Sequence, residues 1–184
     1  MPVRKRPKYA PRPVENIQLA KILKNSAKNT RVMVLLAALC GLRVHKIAKI
    51  RGSDLDLEKR TPAVIGKGNK RSIIPLHEII VDTAQSMPES GWWFPSLSDV
   101  DKPISGKSCG QAISRAMRRA GVEGTAHQLR HSYGTALLES GEVDLRTLQE
   151  LMRHESLATT QIYTRVTSER WREAIDNLCL PIVV

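Results

Sequence analysis

Apolar positions in VENIQLAKILKNS recur at roughly helical spacing, through Ile17, Leu19, Ala20, Ile22 and Leu23, and predict a first helix. NTRVMVLLAALCG predicts a second, with Asn29 or Thr30 capping its start and Gly41 stopping it. RVHKIAKI then reads as a short helical turn leading to a loop at GSD. The texture changes between residues 55 and 76, where short β-prone runs are broken by a Thr-Pro turn and by GKGN, the tip of a hairpin. A small antiparallel sheet of two or three strands is predicted there. Beyond it the pattern is helical near 77–86, 106–120, 128–140, 144–153, 156–164 and 168–178, with breaks at MPESGWWFPS, AGVEG and ESGEVD. The predicted fold class is mainly α with a small antiparallel β-sheet (α+β). The chain has no internal repeat and no low-complexity segment.

Charge changes the picture more than composition does. The 184 residues carry a formal net charge of +11, and residues 1–53 hold thirteen Lys and Arg against one acid, Glu15. A polyanionic partner follows, nucleic acid first; the alternative is a solubilising basic surface. MPVRKRPKYAPRP has four prolines, five basic residues and no acid, so residues 1–13 read as an extended linker or arm. Its Arg4, Lys5, Arg6, Lys8 and Arg12 are candidate phosphate contacts. Cys40, Cys109 and Cys179 show no metal spacing and no disulfide framework, which points to a reducing cytosol. The longest apolar run, residues 32–40, is too short to span a bilayer, and the N-terminus lacks the pattern of a signal peptide. A cytoplasmic location, away from membranes, is expected.

Chemistry on a phosphodiester needs cationic forks, because its transition state gathers negative charge on the non-bridging oxygens. Arg43 follows Gly41 and Leu42 at a helix end, and Arg130 lies in AHQLRHSYGTAL beside His127 and His131. The two histidines are four apart and share a helical face if the stretch is helical throughout. That spacing can bind zinc, but the glutamate of a metalloprotease motif is missing, so no metal site is assigned. Lys67, Lys70 and Arg71 surround the GKGN turn, either solvated or projected into a neighbouring groove. Tyr163 sits in the polar stretch HESLATTQIYTR, in a chain with only three tyrosines.

Taken in order, CGLRVHKIAKIRGSDLDL, VIGKGNKRSIIPL, AHQLRHSYGTALLESG and LQELMRHESLATTQIYTRV resemble the tyrosine recombinases, the phage integrase family, over roughly residues 13–175. The resemblance implies a catalytic domain over residues 14–184 that cleaves and rejoins DNA strands through a 3'-phosphotyrosyl intermediate. It makes Tyr163 the nucleophile and Arg43 and Arg130 the clamp on the scissile phosphate. Lys67 becomes the general acid at the leaving oxygen, His127 an acid/base group and His154 a supporting phosphate ligand. His131 falls on a position that is usually structural, and Tyr133 on one that is usually a buried aromatic.

No cofactor and no metal are implied, since arginines and a lysine supply the charge that Mg²⁺ supplies elsewhere. The implied partners are double-stranded DNA and further copies of the chain, in a tetrameric synapse of full-length proteins. The tail at about 168–184 is a candidate for docking on a neighbouring protomer.

The chain departs from the family pattern in three ways. Lys46 stands where an acid usually follows the first arginine, with His45 before it. Arg153 replaces the glycine that normally precedes the histidine of the last box, and Glu155 follows that histidine. The chain also opens in what reads as an interdomain linker, without the family's preceding helical domain. The readings weighed are a site-specific recombinase of phage, mobile-element or chromosomal type, a type IB topoisomerase-like relaxing enzyme, and a DNA-binding protein of the same fold that has lost catalysis.

Overall fold

The computed structural model describes residues 13–58, 61–62, 64–65, 71–72, 76–141 and 143–152. Seven α-helices occur among them: α1 Asn16–Lys24, α2 Lys28–Leu39, α3 Val44–Ile47, α4 Glu78–Ala84, α5 Gly106–Arg119, α6 Ala126–Glu139 and α7 Leu145–Met152. A 3₁₀ turn at Gly52–Asp54 leads into the strands β1 Leu55–Asp56, β2 Thr61–Pro62, β3 Val64–Ile65 and β4 Arg71–Ser72. The expected class, mainly helical with a little antiparallel sheet, is observed. None of the described helices is long and apolar enough to cross a membrane.

α2 is the axis of the core. Val32 through Ala38 are all buried, so this helix is apolar around its whole circumference and must be covered on every side. α1, α3, α4, α5 and α6 pack on it. α5 is amphipathic instead: Cys109, Ile113, Ala116 and Met117 recur at the 4-3-1 intervals of one face and are buried. Burial pushes the Cys109 thiol up to about 11, which leaves it inert at neutral pH. In α1 the stripe is narrower than the sequence pattern. Ile22 is buried and Leu19 and Leu23 pack on the core, whereas Ile17 and Ala20 face solvent.

The start of α2 differs from the expected cap. Neither Asn29 nor Thr30 caps it, for the helix begins at Lys28 with Ala27 as N-cap and no side-chain cap bond. Contacts with α1 explain the earlier start. Ser26 Oγ donates to Ile22 O (2.6 Å), while Arg31 Nε donates to Leu23 O (3.0 Å) and its Nη2 to Ser26 O (3.2 Å). These bonds stitch the α1–α2 turn and satisfy carbonyls at the end of α1.

The β-region also departs from expectation. Among the described residues the strands form two two-stranded antiparallel pairs, β1–β2 and β3–β4, rather than one sheet. Thr61–Pro62, read from the sequence as a turn, is a strand in which Pro62 pairs with Leu55 and Thr61 with Asp56. A two-stranded ladder consists only of edges, so a proline without an N–H can be accommodated in it. β3 and β4 pair Val64 with Ser72 and Ile65 with Arg71.

The segment after α4 is held by its aromatic residues. Trp93 N donates to Ile50 O (3.0 Å), Trp93 Nε1 to Pro88 O (3.2 Å) and Trp92 Nε1 to Asp101 O (2.8 Å). The Arg51 guanidinium lies 3.8 Å over the Trp92 ring. Phe94, at 1% exposure, packs edge-on to Trp93. These contacts fix the stretch that follows α3 to the body of the domain.

Candidate functional site

α6 carries two of the site residues, and its N-terminus explains their placement. Thr125 and Gln128 form a reciprocal capping box, with Thr125 N donating to Gln128 Oε1 at 2.8 Å. The helix therefore starts at Ala126, two residues before the predicted position, and includes His127. His127 and His131 then lie one turn apart. His127 is exposed, whereas His131 is only 7% exposed. Burial holds the His131 imidazole below its ordinary value of 6.5, and the neighbouring His127 pushes it in the same direction.

Arg130 is 6% exposed, a charge placed inside the fold. Its Nη1 donates to Gly41 O and its Nη2 to Met152 O. The guanidinium thus joins α6 to the turn that follows α2 and to the last residue of α7. Buried ions persist only when such bonds satisfy them. Met152 stands two residues before His154 in the sequence. At the other end of α7, Asp144 Oδ1 accepts from Thr147 N (2.7 Å), and that bond holds the Asp144 carboxyl below its usual range.

Gly41 is the hinge of this arrangement. Its φ of +57° lies in the left-handed region, and a Cβ there would run into the half-buried Tyr133 ring of α6, 2.8 Å from Cε1. Glycine is required twice, by backbone conformation and by close approach. The turn it makes sends the chain into α3, where Arg43 is the N-cap with extended φ and ψ of −74° and 146°. Arg43 is exposed.

Arg43, His127 and Arg130 line one small cleft of about 150 Å³ together with Leu42, Val44 and Ala126. Positive charge continues beside it. The His45 imidazole is held below its ordinary 6.5 by partial burial and then by Lys46, Arg43, Lys49 and Arg130. α3 is seated by close packing on α5, since a Cβ at Gly106 would come within 3.1 Å of His45 Cα. Among the described residues no three His, Cys, Asp or Glu side chains group as ligands for a metal ion.

Three predicted site residues, Arg43, His127 and Arg130, are brought together. Lys67, Lys70, His154 and Tyr163 lie outside the described residues, as do Arg4, Lys5, Arg6, Lys8 and Arg12 of the arm. Arg71 is described only as the backbone of β4. The departures at Arg153 and Glu155 and the tail at 168–184 also fall outside.

Several supporting contacts were not read from the sequence. Ser132 Oγ accepts from Val14 N (2.6 Å) and donates to Gln128 O (2.9 Å), tying the start of the domain to α6. The Gly41–Tyr133 approach and the Met152 carbonyl belong to the same group. All are long-range or main-chain features with no local pattern to reveal them; only the glycine left a trace, as a helix stop.

Comparisons with known proteins identify the family. The profile of the phage integrase family matches residues 13–170. Tyrosine recombinase XerA of Thermococcus kodakarensis is 36% identical over 167 residues, covering 87% of this chain and 59% of that protein. The solved integrase from mycobacterium phage Brujita superposes with a TM-score of 0.75 at 52% identity, over 95% of this chain and 60% of that one. A crystal structure of XerA recombinase superposes with a TM-score of 0.76 at 26% identity, over 97% of this chain and 68% of that one. The chain thus spans about three fifths of the XerA protein and of the phage integrase it matches. With its sequence boxes in family order and its two arginines beside the α6 histidine, the chain belongs to the phage integrase family.

Proposed function

We propose that the chain is the catalytic part of a site-specific DNA recombinase, which cuts and rejoins strands through a tyrosine. The observation that carries the reading is the cationic cleft in which Arg43 and His127 meet Arg130. It is smaller than the roughly 300–1,000 Å³ of small-molecule sites. Its lining sets the side chains of Arg43, His127 and Arg130 among the apolar Leu42, Val44 and Ala126, and three such groups in so small a space suit one phosphate of a larger polyanion. Arg130 is oriented in advance by two main-chain carbonyls, so little reorganisation is needed when charge develops on a phosphate oxygen.

In this reading Tyr163 Oη attacks phosphorus, and a 3'-phosphotyrosyl bond forms as the bond to the 5'-oxygen breaks. Lys67 gives the leaving oxygen its proton. His127 serves in proton transfer and His154 supports the phosphate. A phenol ordinarily titrates near pH 10, so attack at neutral pH needs a base and cationic surroundings. The reverse attack by a 5'-hydroxyl restores the backbone, so no ATP is required. Residues 1–13 act as a basic arm on the duplex, with Lys70 and Arg71 adding phosphate contacts, and residues 14–184 form the catalytic domain. Assembly on DNA into a tetramer belongs to the full-length protein.

The test is covalent trapping on a nicked suicide substrate. The wild-type chain should give a protein–DNA adduct, and Tyr163→Phe should bind DNA without forming one. An adduct of undiminished yield from the variant would move the nucleophile elsewhere and overturn the reading.

A further inference from the structure

The cleft accounts for Arg43 but not for the cations that follow it. Arg43, Lys46 and Lys49 are spaced three apart, and all three are exposed. The backbone between them is helical: Lys46 N and Ile47 N bond to Arg43 O, Ala48 N to Val44 O, Lys49 N to Lys46 O and Ile50 N to Ile47 O. In such a helix, positions three apart stand on one face. Ile47, Ala48 and Ile50, which alternate with the three cations along this stretch, are buried.

The row therefore cannot turn inward, and it is held from both sides. α5 packs against α3 at Gly106 and His45, and Trp93 N bonds to Ile50 O where the row ends. Among the described residues no carboxylate forms an ion pair with any of the three cations. Their shared field also reaches His45, which Lys46, Arg43 and Lys49 all push in the same direction.

We propose that Lys46 and Lys49 form a phosphate-binding row that extends the Arg43 site along the DNA backbone. The inference rests on the reading of the chain as a DNA-acting recombinase. Six residues of α or 3₁₀ helix rise about 9–12 Å. Three nucleotides of one strand rise about 10 Å along the duplex axis. A phosphate in the cleft at Arg43 would then have its neighbours on the same strand within reach of the two lysines. The acid usual at position 46 in this family would repel those phosphates, so the lysine converts a neutralising position into a contact.

The experiment measures duplex affinity of the full chain against salt, for wild type, Lys46→Gln, Lys49→Gln, the double variant, Lys46→Arg and Lys102→Gln. Each phosphate contact contributes about 0.9 to the slope of log K against log salt. Each single Gln variant should lower the slope magnitude by about 0.9, and the double variant by about 1.8, equally on unrelated duplexes. Lys46→Arg should keep the wild-type slope. Lys102, already paired with Asp99 at 2.8 Å, serves as control and should leave the slope unchanged. A double variant of unchanged melting temperature with the wild-type slope overturns the row and leaves the recombinase reading intact. A wild-type chain with no salt-dependent duplex binding overturns both.

Discussion

α6 and α3 each bring an arginine to the same cleft, and they hold it in opposite ways. On α6, Arg130 is buried and bonded to carbonyls of two other segments. On α3, a helix of one turn, Arg43 stands exposed at the N-cap. The first mode fixes a guanidinium plane and makes the arginine part of the fold. The second leaves a charge that can follow its ligand and adds little to stability. In the proposed reading one site thus combines a rigid anion anchor with an adaptable one, and mutations should separate the two.

The largest expected effect comes from replacing each arginine by lysine. A point charge cannot reproduce a planar fork, so each variant should cleave suicide substrate at least about 10²-fold more slowly. Only Arg130→Lys should also unfold more readily, by about 1–3 kcal/mol, because a buried carbonyl of Gly41 or Met152 loses its donor. Arg43→Lys should melt as wild type does. Equal losses of stability in urea titrations would erase the distinction between the two helices.

Gly41→Ala tests the turn that lets these helices meet. The left-handed backbone costs a non-glycine residue about 1–2 kcal/mol, and crowding of the Tyr133 ring adds about 1–3 kcal/mol. A total loss of roughly 2–5 kcal/mol should appear in thermal or urea unfolding. Gly41→Ala combined with Tyr133→Ala should recover part of the crowding cost but none of the backbone cost. Full recovery would show that the ring alone demands glycine.

The smallest effect is a pH dependence seated on α6. Unfolding returns the His131 imidazole to water, where it takes a proton below pH 6.5, while the buried ring resists protonation to a lower pH. The unfolded state then binds more protons. Stability is therefore complete above pH 6.5 and falls as pH drops toward the folded value. His45, shifted in the same direction, adds a share. Melting temperatures measured across this range should fall less steeply for His131→Gln than for wild type, and parallel curves would remove His131 as the source.

Much of the fold was legible because local rules and tertiary packing agreed. The all-round apolar run of α2, the face of α5 and the breaks at Gly41, AGVEG and ESGEVD lie where periodicity and glycine put them. Disagreements arose where a distant partner outweighed the local signal. Thr61–Pro62 reads as a turn until Leu55–Asp56 pairs with it, and Asn29 reads as a cap until Arg31 and Ser26 bind the end of α1. In the candidate site, residue types and the order of the boxes singled out Arg43, His127 and Arg130, which line one cleft. They could not indicate that Arg130 is bonded to Met152 or that Tyr133 presses on Gly41.

The sequence by itself determined the helical architecture, the basic surface and the candidate chemical groups, since these depend on side-chain type and short-range spacing. Tertiary structure alone decided which arginine is buried, which histidine is exposed and why one glycine cannot be replaced. Burial and close approach are set by segments 89 and 22 residues apart from Arg130, and no periodicity within a segment encodes which carbonyl a guanidinium meets.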